Sequence, residues 1–423
     1  MNIQSRYRQL QTTLQGSQLL KQNSVRAIIA IAVILLAVII INTMAGASGR
    51  LIFFEAEDSN LTGGAKVGQR EDASGGEVLI FTKDEEDDEQ PVVPPPPSLN
   101  PTSGVWISRR EIMALPQSGS GWENMRRAAT GSLGSVNLGD NNSLHDTNVL
   151  ALAYYAVRTE DNSLVQKVAS ELDTVKDSSR ERALPFCRNI TSYVIAADVI
   201  NLSLVDAQVD KDFRDFIRHW VFEDTSLTGH SGKGISQTAS NAPNNWGTMC
   251  RAAHAATAIY LGDVSAQQNA AAWHKGYLGD TDAYDGYVYK STNWHADPNN
   301  KVPINRKGAT RSGNSIDGVI PEDQRRSGEY TWPAPKGGYP WEAMQGAIVT
   351  DYILQRKGLI ENDHEDSAMV RAYNWLYFEN SNPAASDDTW QPWLANKIYG
   401  TSYPTGSTSN PGKNMGWTDW THQ

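Results

Sequence analysis

The chain has 423 residues, 39% of them hydrophobic and 20% charged, with 34 Gly and 19 Pro; that composition excludes collagen-like, wholly disordered and multi-span membrane architectures. Acidic residues outnumber basic ones by 48 to 37, and a net charge of −11 argues against general binding to a phosphate backbone. Two cysteines are too few for a disulfide scaffold or a Cys-rich metal site, and thirteen tryptophans, all after residue 100, hint at sugar-facing aromatic surfaces.

Residues 27–41 read AIIAIAVILLAVIII, preceded by Arg6, Arg8, Lys21 and Arg26, with no acidic residue before Glu55. Basic residues stay on the cytoplasmic side, so residues 1–26 are expected there and the body outside it. Counted through Ala47, the run approaches the ~20 residues needed to span a bilayer. Ala45-Gly46-Ala47 also fits a cleavage site, so the segment either stays as an anchor or is removed after Ala47. The body is therefore expected at the extracellular face of the membrane, or secreted. Phe54-Glu55-Ala56-Glu57 opens a short β-like fragment, 52–81, that resembles the first two strands of the carbohydrate-binding modules beginning with an EAE motif. Two strands are too few for a sandwich with its own core. Residues 82–103 join the acidic run DEEDDE to a proline tract, an extended spacer leading into a domain at 104–423.

From residue 140 the pattern is helix after helix. Val209, Phe213, Phe216, Ile217, Trp220 and Val221 fall at spacings of three and four, one apolar stripe. Similar stripes run through 144–157, 190–202, 247–261, 341–354 and 369–378, with breaks at Gly262-Asp263 and Lys357-Gly358. No alternating strand pattern is of comparable strength, so the fold class is all-α. The expected architecture is an incomplete α/α toroid of stacked helical hairpins, preceded by the membrane or signal helix and a disordered linker. Residues 279–340, rich in Gly, Pro, Asn and Asp, break the pattern, and a long irregular insert in a compact domain is usually functional.

Four stretches carry chemistry. Asn244-Asn245-Trp246 opens a helix; Asn is a common N-cap, but two amides beside a Trp also suit a sugar carboxylate. Asp317–Tyr330 lies in the span from Lys301 to Lys336, where seven Lys/Arg face four Asp/Glu, a basic island fit for an anionic substrate or a solvated loop. In that island Tyr330 follows Arg326 by four residues, and a cation beside a phenol makes it a better base. Tyr339-Pro340-Trp341-Glu342 enters another helix, with Trp341 placed to line a subsite and Glu342 either a binding group or a first-turn acid. The tail 412–422, GKNMGWTDWTH, reads as packing or as a further site element. No histidine pair has metal-ligand spacing, and no nucleophile elbow, Walker loop or dinucleotide fingerprint occurs, so neither metal nor cofactor is expected. Cys187 and Cys250 either pair outside the cytoplasm or sit buried as free thiols.

Arg188-Asn189 with Tyr193 and Ala196-Ala197-Asp198, then Asn244-Asn245-Trp246-Gly247-Thr248 on a helix ending Tyr260-Leu261-Gly262-Asp263, resemble the alginate-lyase superfamily of polysaccharide lyases. DGVIPEDQRRSGEY, YPWEAMQG, WQPW and the tail are similar to a less-studied branch of it, and the likeness spans about 140–422. The resemblance implies an α/α toroid and β-elimination on a polysaccharide containing uronic acid. Such an enzyme needs a group to neutralise the uronate carboxylate, a base for the C5 proton and an acid for the leaving O4. Carried onto this chain, it makes Asn245 the neutraliser with Asn244 in support, Tyr330 the base and acid, Arg326 the steadying cation and His295 a second base. Trp246, Arg188, Asn189, Arg325, Trp341 and Glu342 become substrate-binding positions. The family's Asn-Asn-His is Asn244-Asn245-Trp246 here, a departure that leaves the place of the histidine open.

Two rival functions are carried alongside. An inverting glycoside hydrolase on the same fold needs two carboxylates ~6.5–9.5 Å apart across a cleft, for which Asp317, Glu322 and Glu342 are available. A catalytically inactive glycan-binding surface protein needs only the binding groups. The partners expected are an anionic polysaccharide and, through the N-terminal helix, a membrane, with no nucleic acid.

Overall fold

The computed structural model describes residues 65–69, 77–81, 104–406 and 415–423, and divides the chain into two units, Met1–Pro94 and Pro95–Gln423. The apolar run at 27–47 and the spacer at 82–103 lie outside the described residues. No described helix is long and apolar enough to cross a membrane. In the first unit β1 (Ala65–Gln69) and β2 (Glu77–Phe81) pair antiparallel, with Ala65 opposite Phe81.

The second unit is all-α, and every apolar stripe read from the sequence lies on a helix. Its central helices are α3 (His145–Thr159), α5 (Ala183–Ile200), α9 (Asn245–Leu261) and α12 (Tyr339–Arg356). Before them come α1 (Arg109–Ala114) and α2 (Ser120–Thr130). Between them lie α4 (Asn162–Thr174), α6 (Leu202–Val205), α7 (Ala207–Arg218), α8 (Gly234–Asn241), α10 (Val264–Leu278) and α11 (Pro321–Gln324). After them come α13 (His364–Asn374), α14 (Gln391–Tyr399) and α15 (Thr418–Thr421).

The central helices are apolar nearly all round, as helices at the middle of a core must be. Every residue of α5 except Asp198 is buried. They pack in the order α3–α5–α9–α12, while α2, α4, α8 and α10 flank them. Small residues allow the close approach of α9 to α12. A Cβ on Gly346 would run into the backbone of Thr248 and Met249. Gly262 ends α9 at φ 70°, a left-handed cap that costs glycine little.

Two contacts give the direction of the central helices. Arg188, near the start of α5, forms an ion pair with Glu342 in the first turn of α12. At their other ends, Asp198 of α5, Tyr260 of α9 and Lys357 just past α12 line one cavity of about 180 Å³. So α5, α9 and α12 run parallel, and their first turns share one end of the domain.

The tail closes the helical array. Trp417 Nε1 donates to the Thr147 carbonyl, Trp420 Nε1 to the Pro116 carbonyl and Thr418 Oγ1 to the Trp390 carbonyl. The last helix, α15, thereby packs on α2 and α14. Its tryptophans are structural, as are most others: Trp106, Trp294, Trp341, Trp375, Trp390 and Trp420 are fully buried. This corrects the reading of tryptophan content as a sugar-facing surface. The aromatic area went into the core instead, with Trp332 the most exposed of the tryptophans at 42%.

Candidate active site

The first turn of α9 is built by its own sequence. Asn244 is the N-cap, its Oδ1 accepting the Trp246 N–H at 3.1 Å, so the helix begins with an amide already committed to the backbone. The next amide is free to do something else. Asn245 is 3% exposed, and its backbone N–H donates to Asp323 Oδ1 at 3.2 Å. Its side-chain oxygen accepts from Arg326 Nη1 at 3.4 Å. Its Nδ2 has no hydrogen-bond partner among the described residues.

Arg326 is exposed and lies just beyond the single turn of α11. Its guanidinium carbon sits 3.4 Å from the centroid of the Tyr339 ring, and Tyr339 is 39% exposed at the start of α12. One side of the site is therefore a guanidinium from the 279–340 insert that touches an amide of α9 and a phenol of α12.

Asn244 brings in a histidine. Its Nδ2 donates to His230 Nε2 at 3.0 Å, and the His230 ring lies 5.9 Å from that of Trp246, centroid to centroid. The outer face of Trp246 carries the Arg182 guanidinium at 5.1 Å. Burial, then the charges of Lys290, Arg325 and Arg326, push the His230 pKa down to about 4. At neutral pH His230 is an uncharged imidazole in a basic surround. Arg325 is half-buried and anchored, its Nε donating to Glu322 Oε2 at 2.9 Å. The other Glu322 oxygen accepts the backbone N–H groups of Lys290 and Ser291 at 2.9 and 3.1 Å, tying the insert to α11.

Asp323 lies beneath this group, fully buried. Burial raises its pKa to about 8, against the lowering effect of the Asn245 N–H and of Arg326. Its Oδ2 has no hydrogen-bond partner among the described residues. At neutral pH it is a protonated acid, which leaves the cluster above it with a positive balance.

The structure brings together Asn244, Asn245, Trp246, Arg325 and Arg326. It puts Tyr330 elsewhere in the insert. The Tyr330 hydroxyl donates to the Arg311 carbonyl at 2.5 Å and accepts from Asn314 Nδ2 at 3.3 Å. Its ring packs on Trp294 at 4.9 Å, and the cation over it is Arg311 at 4.8 Å. The four-residue spacing from Arg326 does not translate into contact because α11 ends at Gln324 and Gly328 turns the chain at φ 152°. His295 is buried edge-on against Tyr289 with neither ring nitrogen hydrogen-bonded among the described residues, and burial with Lys301 and Arg311 pushes its pKa down to about 4.

Four further positions are structural. Trp341 is 2% exposed, donates from Nε1 to the Asn382 carbonyl at 2.9 Å and packs on Tyr373 and Tyr377. That corrects its reading as a subsite wall: the start of α12 points it into the core. Asn189 is likewise buried, its Nδ2 donating to the carbonyls of Asp140 and Pro185 at 3.0 and 2.7 Å. Arg188 and Glu342 hold each other between α5 and α12. Burial lowers the Arg188 pKa, and Asp387 and Asp388 oppose that shift.

The carboxylates available to a hydrolase are all engaged. Asp317 pairs with Arg371 at 2.7 Å, Glu322 with Arg325, and Glu342 with Arg188. Sequence reasoning missed His230 and Tyr339, which reach the site only through tertiary folding. The glycine-rich segment Thr228–Gly234 was the one available signal for His230. It also missed Asp280, His364 and Glu365, whose ligand atoms lie within 4.8 Å of one another away from this cluster. His364 Nε2 and Asp280 Oδ2 already pair there at 3.2 Å. No family model matches the chain, and no curated protein sequence matches it.

Proposed function

We propose that the protein is a polysaccharide lyase that cleaves a uronic-acid-containing, alginate-like polymer by β-elimination, on an incomplete α/α toroid held outside the cytoplasm. The observation that carries this reading is the contact between Asn245 and Arg326, an amide with an unused Nδ2 beside a guanidinium in a basic surround. A C5 proton is barely acidic while the adjoining carboxylate is ionised. Donation from Asn245 Nδ2 and Arg326 withdraws that charge and stabilises the enolate-like intermediate. Arg182, Lys290 and Arg325 supply the wider positive field that draws a polyanion to an otherwise acidic protein.

Tyr339 is in contact with Arg326, and in this scheme it enters as the phenolate, beside that cation, and takes the C5 proton to become the phenol. The electron pair forms the C4–C5 double bond, the C4–O4 bond breaks, and the phenol returns its proton to O4. Tyr330, the base expected from the resemblance, has its hydroxyl engaged with the Arg311 carbonyl and serves to hold the insert. His230, neutral at working pH, orients Asn244 and supplies the imidazole that Trp246 replaces in the family's Asn-Asn-His order. The parallel run of α5, α9 and α12, with their first turns at one end, is the arrangement expected of a toroid's inner helices. The basic leader and apolar run support placement at the extracellular face.

The test is incubation of the purified protein with polymannuronate, polyguluronate and glucuronan, following ultraviolet absorbance of the unsaturated sugar. Activity on at least one polymer is expected. Silence on all three, or products that are saturated reducing sugars, would overturn the reading.

A further inference from the structure

The sequence holds two cysteines in 423 residues, 63 positions apart, and folding brings them together. Cys187 lies in α5 immediately before Arg188. Cys250 lies in α9, in the second turn after Asn245. Both are fully buried, and their sulfur atoms stand 2.6 Å apart, closer than two unbonded sulfurs rest. A chain with random buried thiols has no reason to spend both at one contact between its two most enclosed helices.

We propose that Cys187 and Cys250 are a disulfide-forming pair, and that the bond fastens α5 to α9 directly behind the candidate active site. The oxidant is a disulfide. One cysteine thiolate attacks it and forms a mixed disulfide, releasing one thiol of the oxidant. The second cysteine thiolate then attacks the protein sulfur of that bond and expels the oxidant's other thiol. The protein loses two protons and two electrons, and the oxidant gains them. Burial raises the Cys187 thiol pKa well above its ordinary value, so in the fold it has little thiolate to offer, and the burial of both sulfurs keeps an oxidant out. Exchange therefore belongs to an early stage of folding, while α5 and α9 are still separable.

The position gives the bond a function. It joins α5 to the helix that carries Asn244 and Asn245, so it fixes the first turns of α9 and their two amides against the buried helix behind them. This inference rests on the sulfur geometry and stands whether or not the protein proves to be a lyase.

The experiment uses the full chain, purified in detergent after growth under conditions that oxidise thiols and kept in glutathione disulfide. Alkylation in denaturant without reductant is expected to add no label, and alkylation after a phosphine reductant to add two. The intact mass before reduction should be lower by two hydrogen atoms. Cys187→Ala and Cys250→Ala should each leave one thiol open to label without reductant. In thermal melts, reductant present through unfolding should lower the wild-type midpoint by roughly 5–10 °C and leave the double alanine variant unmoved. Two labels on the wild type without reductant, or a wild-type midpoint insensitive to reductant, would overturn the proposal.

Discussion

Replacing Asp323 with Asn isolates the buried acid under the site. In the fold Asp323 keeps its proton to about pH 8, whereas its ordinary value is 3.8. The unfolded chain releases that proton from pH 3.8 upward and the folded chain does not. Folding stability therefore falls as pH rises through this window, by about 1.4 kcal/mol per pH unit, and the loss is complete above pH 8. At pH 7 the loss amounts to at most roughly 4 kcal/mol. Asn keeps an oxygen to accept the Asn245 N–H and removes the ionisation. Its amide nitrogen takes the place of the unpartnered Oδ2, a cost the protonated acid already bears. Melting midpoints of the wild type and Asp323→Asn from pH 4 to pH 9 should coincide near pH 4 and separate with rising pH, the variant higher by roughly 5 °C at pH 7. Parallel curves across that range would refute the buried-acid argument.

Tyr339→Phe should lower kcat on the preferred polymer by roughly 100-fold or more, while Tyr330→Phe changes it by less than about tenfold; the reverse order would restore Tyr330 as the base. Glu342→Ala strands the buried Arg188 and should cost about 3 kcal/mol in urea unfolding, a figure that a loss under 1 kcal/mol would contradict. His254 and His422 are fully buried, and burial pushes both down to about 3. The unfolded chain takes up these protons near pH 6.5 and the folded chain does not, so stability is full above 6.5 and falls as pH drops toward 3. Because Asp323 acts in the opposite direction over the same range, the comparison is with variants: lowering the pH from 7 to 5 should cost the wild type clearly more in urea midpoint than it costs His254→Gln or His422→Gln, and equal changes would count against the burial of these rings.

The central helices were legible because they are apolar over wide faces, and α5, α9 and α12 bury almost everything they carry. The flanking helices were harder to read. On α4 only Val168, Ala169 and Leu172 are buried, a stripe too narrow to stand out. Its cap was nevertheless present, Asp161 accepting from the N–H groups of Ser163 and Leu164. Asn244 and Asn245 could be found because helix starts are written locally, and Arg325 and Arg326 because their charge stands out against an acidic chain. Tyr339 could not, since its contact with Arg326 depends on the path of the 279–340 insert, and His230 could not, since its contact with Asn244 depends on how the loop before α8 folds back. The same path explains why a four-residue spacing misplaced the phenol: outside a helix that spacing carries no geometric meaning.

The account turns on Asn245 and Arg326 acting as one clamp on the uronate carboxylate. A double-mutant cycle on kcat/KM, with Asn245→Ala, Arg326→Ala and both together, tests that directly. Each single change is expected to cost about 100- to 1000-fold, and the double little more than the worse single. Single variants that keep wild-type rates, or losses that multiply fully in the double, would contradict a shared clamp.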